Sequence, residues 1–206
     1  MSKLPLSPWN HLCWKDEEMS FDLSALLKIY NEIFSKYVIH SQNQYYCGIG
    51  FQGKTSTDTK SAPTEGPLIG DDSYKKLPPK DQYPAIAENI EKIYQRHETL
   101  CVGEYARILD YLESKGWYTF RARVMTLLPN NPMNWHADGY DISMRYHVPI
   151  ITNDQFYLQW RDINGVHYFH LPANGNGYFV RTDVSHQYIN RGTEPRTHII
   201  IDIKKK

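Results

Sequence analysis

The sequence predicts an α+β fold, with N-terminal helices packed on one side of a β-barrel or sandwich. Two observations carry this. Segments before Gly116 place apolar residues at helical spacing, and segments after it are short, rich in aromatic and β-branched residues, and parted by Pro, Asn and Gly. A length of 206 residues suits a single domain over 1–206, with a helical and loop region at 1–117 and a β core at 118–203.

Each element follows from local pattern. "SFDLSALLKIYNEIFSKYVIHS" opens on a cap at Ser20 or Asp22 and repeats Leu23, Leu26, Leu27, Tyr30 and Phe34, so it predicts a packed helix. "YYCGIGF" predicts a short strand. The stretch at 52–82, rich in Gly, Pro, Ser and Thr, predicts a loop long enough to be either a substrate lid or an inert surface excursion. From Pro84 to a stop at Gly116, the apolar stripes Ile86, Ile90, Ile93 and then Ile108, Leu109, Leu112 predict one long helix or a helical pair. "YTFRARVMTLL", "SMRYHVPII", "FYLQW", "VHYFHL", "GYFV", "HQYIN" and "RTHIIIDI" predict successive strands, and the closing "KKK" reads as a solvated tail.

Bulk properties narrow the function. Lys plus Arg and Asp plus Glu both number 23, so no global field draws the protein to nucleic acid. Cys13, Cys47 and Cys101 are widely spaced and odd in number, unlike a disulfide framework or a zinc ribbon, which points to a reducing, cytoplasmic setting. No apolar run reaches bilayer-spanning length, so a soluble protein without a membrane partner is expected.

The chemistry concentrates in "NWHADGYDISMRYHVPI", residues 134–150, where His136 and Asp138 stand two apart and Arg145 and His147 repeat that spacing. On a strand each pair would share a face. Two imidazoles and one carboxylate on one side of an ion such as Fe(II) leave its other positions open. His186 in "TDVSHQYINRG" is the candidate third ligand, because it begins a strand-like segment after a turn and would close a barrel mouth opposite His136. Arg196 opens the strand "RTHIIIDI" on the same face as His198 and Ile200, where a guanidinium can hold an acidic cosubstrate bidentately. A structural alternative makes His136, His147, His167, His170 and His198 hydrogen-bonded interior residues, Arg196 a surface cap, and Arg145 the partner of Asp141 or Asp202.

"LLPNNPMNWHAD", "RYHVPI", "GNGYFVRTDVSH" and "RTHIIID" together resemble the core of the aspartyl/asparaginyl β-hydroxylase branch of the Fe(II)- and 2-oxoglutarate-dependent dioxygenases. The spacings Pro129 to His136, His136 to His147, Gly175 to His186 and His186 to Arg196 belong to that resemblance. It implies a double-stranded β-helix (jelly-roll, cupin-like) core with N-terminal supporting helices. It also implies His136, Asp138 and His186 as metal ligands and catalytic centre, Arg196 on the distal carboxylate of 2-oxoglutarate with His147 reaching its carboxylate from the neighbouring strand, and Arg145 and Arg123 facing a substrate carboxylate. Some members of the branch carry glycine at the carboxylate position; Asp138 follows the wider superfamily, which implies a complete triad and argues against a halogenase.

The implied reaction uses Fe(II), 2-oxoglutarate and O2 to hydroxylate a C–H bond of an amino acid, peptide or protein side chain, with release of succinate and CO2. The expected partner is a small molecule or peptide bearing a carboxylate. Two other classes compete. One is a non-catalytic cupin-like module that binds a metal or small acid. The other is a nucleic-acid demethylase in which Trp135, Tyr140, Tyr146, Phe156, Tyr157 and Trp160 stack an extruded base, which the balanced charge disfavours.

Overall fold

Strict alternation in "RTHIIIDIKK" sends Ile199, Ile201 and Ile203 to one face and Arg196, His198, Ile200 and Asp202 to the other, and this stretch becomes a central strand. The structure, a computed structural model, describes residues 12–43, 46–64, 94–138, 144–163 and 165–206. In chain order the elements are β1 (Cys13–Ser20), α1 (Leu23–Lys36), β2 (His40–Asn43), β3 (Tyr46–Gly50), β4 (Gln52–Gly53), α2 (Ser61–Thr64), β5 (Gln95–Arg96) and α3 (Gly103–Ser114). There follow β6 (Trp117–Leu127), β7 (Asn131–Pro132), β8 (Met144–Ile151), β9 (Phe156–Asp162), β10 (Gly165–Phe169), β11 (Asn176–Arg181), β12 (His186–Asn190) and β13 (Arg196–Lys205).

The larger sheet has seven strands in the order β1-β11-β8-β13-β6-β3-β2, and the smaller has four in the order β10-β9-β12-β7. Every named pairing is antiparallel. The two sheets make the jelly-roll. One apolar cluster, with Met125, Leu127, Phe156, Leu158, Trp160, Tyr188 and Ile200, draws on both sheets and fills the space between them. A second cluster seals the outer face of the larger sheet under the helices, with Leu26 and Ile33 of α1 and Tyr105, Ile108, Leu109 and Leu112 of α3 against Val124, Val148, Ile199 and Ile201. Burial of those isoleucines stabilises the fold by about 1.5–3 kcal/mol each.

α1 starts as its pattern predicts, and the cap is Asp22 rather than Ser20: Asp22 Oδ1 accepts from the amides of Ser24 at 2.9 Å and Ala25 at 3.1 Å. α3 stops just before Gly116, whose φ of +80° suits a residue without a side chain.

Three expectations change. Residues before 117 are not only helix and loop, because β1, β2 and β3 extend the larger sheet. β1 is an edge strand paired on one side only, so its Lys15, Glu17 and Glu18 stay outside and hide the strand from a hydrophobicity reading. A single helix from Pro84 to Gly116 is excluded by β5 and the turn at 98–100, and the stripe Ile108, Leu109 and Leu112 lies on α3. The terminal lysines are not all tail: Lys204 and Lys205 belong to β13, and Lys205 Nζ donates to the Lys115 carbonyl at 3.0 Å. The segment 84–93 and most of the 52–82 loop lie outside the described residues. Among the described residues, no helix is long and apolar enough to cross a membrane.

Candidate functional site

His136, Asp138 and His186 come together at one rim of the sandwich, each offering a donor atom within 4.8 Å of the others. His186 begins β12, as its position after a turn suggests, but His136 and Asp138 do not sit in a regular strand. Backbone pairing to the β11–β12 region holds them instead. The amide of His136 donates to the His186 carbonyl at 3.0 Å, the reverse bond is 2.8 Å, and the Asp138 amide donates to the Thr182 carbonyl at 2.7 Å.

Both imidazoles are turned the same way by local backbone. His136 Nδ1 lies 2.8 Å from the Asn134 carbonyl and His186 Nδ1 lies 2.9 Å from the Val184 carbonyl. A carbonyl only accepts, so each Nδ1 carries the proton and each Nε2 keeps its lone pair. His186 Nε2 is buried without a partner, and burial pushes that imidazole down to about 4, so the ring is neutral at neutral pH. Two imidazoles that each present Nε2 and a carboxylate form the donor set suited to a facial two-histidine, one-carboxylate site. The residues fit a divalent metal.

Behind the triad lies a charged interior. Asp202, fully buried on β13, accepts from Arg121 Nη1 at 2.6 Å, Arg123 Nη2 at 3.4 Å and Arg145 Nε at 3.0 Å. Burial alone would raise its carboxyl; Arg123, Arg121 and Arg145 outweigh that and hold it at about 2. Arg145 then reaches forward, with Nη2 2.7 Å from Asp138 Oδ2 in an ion pair without hydrogen-bond alignment. Thus Arg145 links Asp202 to a candidate metal ligand. Of the two alternatives for Arg145, Asp202 is a partner; Asp141 lies outside the described residues. Arg123 is also bonded to the Arg121 carbonyl at 2.6 Å, which leaves it less free than Arg145.

Arg196 is fully buried and not a surface cap. Its guanidinium sits 4.5 Å from the Phe156 ring centroid and 5.2 Å from that of Tyr188, and Nη2 meets His198 Nδ1 at 2.7 Å. Burial lowers its pKa, while Tyr46 and Tyr188 favour the charged form. Its Nε and Nη1 are buried without hydrogen-bond partners, as are His147 Nε2 and the Tyr188 hydroxyl. Buried donors are rarely left unpaired. The guanidinium and the Tyr188 hydroxyl, both donors, fit the carboxylate of an acid such as 2-oxoglutarate. His147 stacks on Tyr188 at 6.0 Å between centroids, with Nδ1 3.3 Å from His198 Nδ1. Tyr188, His198 and Asp202 escaped the sequence reading as site residues, although the period-two step from His186 to Tyr188 and from Arg196 to His198 and Asp202 signals them.

A jelly-roll with two histidines and a carboxylate at its mouth defines the architecture of the iron- and 2-oxoglutarate-dependent oxygenases. Comparison with known proteins agrees. Residues 85–206, more than half of the chain, match the family described as Aspartyl/Asparaginyl beta-hydroxylase. The chain belongs to that family and is a 2-oxoglutarate-dependent oxygenase. Its fold is similar to a 2OG-Fe(II) oxygenase family oxidoreductase from Burkholderia pseudomallei, with a TM-score of 0.50 at 11% identity over 89% of this chain and 78% of the other. It is likewise similar to a Pseudomonas putida prolyl-4-hydroxylase, with a TM-score of 0.50 at 10% identity over 96% of this chain and 95% of the other. No curated protein matches the chain.

Proposed function

We propose that this oxygenase hydroxylates a C–H bond of an amino acid, peptide or protein side chain that bears a carboxylate, using Fe(II), 2-oxoglutarate and O2. The observation that carries this reading is the His136, Asp138 and His186 cluster beside a buried Arg196 with two unpaired N–H groups. His136 and His186 would ligate through Nε2, and Asp138 through its carboxylate. Arg196 would take the distal carboxylate of 2-oxoglutarate through its unpaired guanidinium N–H groups. When bound, iron and 2-oxoglutarate supply oxygen activation coupled to formation of succinate and CO2. The chain's own residues bind, orient and exclude water.

Charge supports an acidic substrate. In this interior cluster, among the described residues, the guanidiniums of Arg121, Arg123, Arg145 and Arg196 face the carboxylates of Asp138 and Asp202. A divalent ion and a dianionic cosubstrate cancel one another, while Arg123 and Arg145 share the one carboxylate of Asp202, so a substrate carboxylate would add a counter-charge. Arg145, partly accessible at the rim, is the better placed of the two proposed substrate arginines; Arg123 acts through Asp202.

The demethylase alternative loses its support. Tyr146, Phe156 and Trp160 are fully buried packing residues, Tyr157 packs edge-on against Tyr168, and Tyr140 lies outside the described residues. Trp135 lies under Arg161 at 4.9 Å. The test is succinate formed from 2-oxoglutarate by Fe(II)-loaded protein in oxygen, with and without pools of amino acids and acidic peptides. Stimulation by one pool is expected, with at least about a hundredfold loss in His136→Ala, His186→Ala and Asp138→Ala. Normal iron-dependent turnover in those variants would sink the ligand assignment.

A further inference from the structure

The contact between Arg196 and His198 constrains where protons sit. Arginine has only donors, so the 2.7 Å approach of Arg196 Nη2 makes His198 Nδ1 an acceptor. His198 is fully buried, and burial together with Arg196, His147 and His170 pushes its imidazole well below the ordinary value, so the ring is neutral with its proton on Nε2. His147 Nδ1 lies 3.3 Å from the same nitrogen. Two bare nitrogens would repel at that distance. His147 therefore carries its proton on Nδ1 and shares the acceptor, which leaves its Nε2 bare. His147 in this state braces the pocket and does not donate to an acid.

We propose that His198 is a positioning residue for the cosubstrate site: its Nδ1 anchors Arg196 Nη2, so that the remaining N–H groups of the guanidinium stay directed for a carboxylate. This rests on the reading that Arg196 holds 2-oxoglutarate. The geometry explains why a guanidinium with several rotatable bonds keeps two N–H groups unpaired in a closed interior. Phe156 and Tyr188 fix the plane of the guanidinium, and His198 fixes one of its nitrogens. An interior histidine with a purely packing role would affect stability without affecting cosubstrate affinity.

The experiment is anaerobic titration of the Fe(II)-loaded full chain with 2-oxoglutarate, followed by the charge-transfer absorption of the complex, together with KM and kcat. His198→Leu is expected to weaken 2-oxoglutarate binding about tenfold, as for loss of one charge-assisted hydrogen bond. Fe(II) affinity should stay unchanged and kcat should move less than about twofold. His198→Asn, which returns a carbonyl acceptor, should recover most of the affinity. A folded, iron-binding His198→Leu with wild-type affinity, or an Asn variant no better than Leu, overturns the proposal. Should His198→Leu fail to fold, long-range nitrogen–proton NMR of the wild-type imidazole decides it: Nδ1 without a proton is expected, and a protonated Nδ1 overturns it. Arg196→Ala separates the two ideas. If that variant keeps full affinity, the cosubstrate reading fails; if it loses affinity while His198→Leu does not, only the positioning role fails.

Discussion

Asp202 is the residue on which the buried charges converge, since one carboxylate faces Arg121, Arg123 and Arg145. Its folded pKa, about 2, lies below the ordinary value of 3.8, so its contribution to stability is present above the unfolded pKa and is lost as pH falls from about 4 towards 2. That contribution is about 2 kcal/mol. Asp202→Asn keeps the shape and removes the charge that Arg121, Arg123 and Arg145 share. Urea unfolding at pH 7 should show a loss of about 3–5 kcal/mol, and the difference from wild type should shrink on acidification. A variant as stable as wild type at pH 7 would show that the arginines find other partners.

At the scale of elements, β1, β8 and β11 are held in register by one close approach. A methyl group added at Gly177 would run into the Tyr146 hydroxyl, and that hydroxyl donates to Asp16 Oδ2 at 2.9 Å. Tyr146 is fully buried between Phe21 and Phe179 and has no free direction in which to move. Gly177→Ala should therefore destabilise the fold by about 1–3 kcal/mol in urea unfolding, with Fe(II) binding retained by the folded fraction. The glycine of "GNGYFV" was visible in the sequence. Its reason was not, because Asp16 is 130 residues from Tyr146. The same limit applies to β1, whose charged outer face conceals a strand that exists only through its pairing with β11.

For the molecule as a whole, the metal and cosubstrate should bind the folded chain alone, since the ligands come from segments joined only by folding. A ligand excess of about one hundred times Kd adds about 2.7 kcal/mol, or roughly 5–10 °C in Tm for a chain of this size. Differential scanning calorimetry under anaerobic Fe(II), then with 2-oxoglutarate, should show two successive increases in wild type. His136→Ala should lack the first and Arg196→Ala the second. Equal increases in the variants would mean binding elsewhere.

Local pattern determined the elements after Gly116 and much of the site. Period-two alternation is a property of neighbouring residues, and it placed Arg196, His198 and Ile200 on one face before any fold was known. The spacing of His136, Asp138 and His186 pointed to the cluster that the fold brings within 4.8 Å, although His136 and Asp138 lie outside any regular strand. Only the tertiary structure decided which charges meet: Arg145 on both Asp138 and Asp202, and Arg196 on His198 against two aromatic rings. Partners between strands distant in sequence are chosen by register and burial. A buried guanidinium takes whichever acceptor the packed interior brings within reach, and no local pattern states which one that will be.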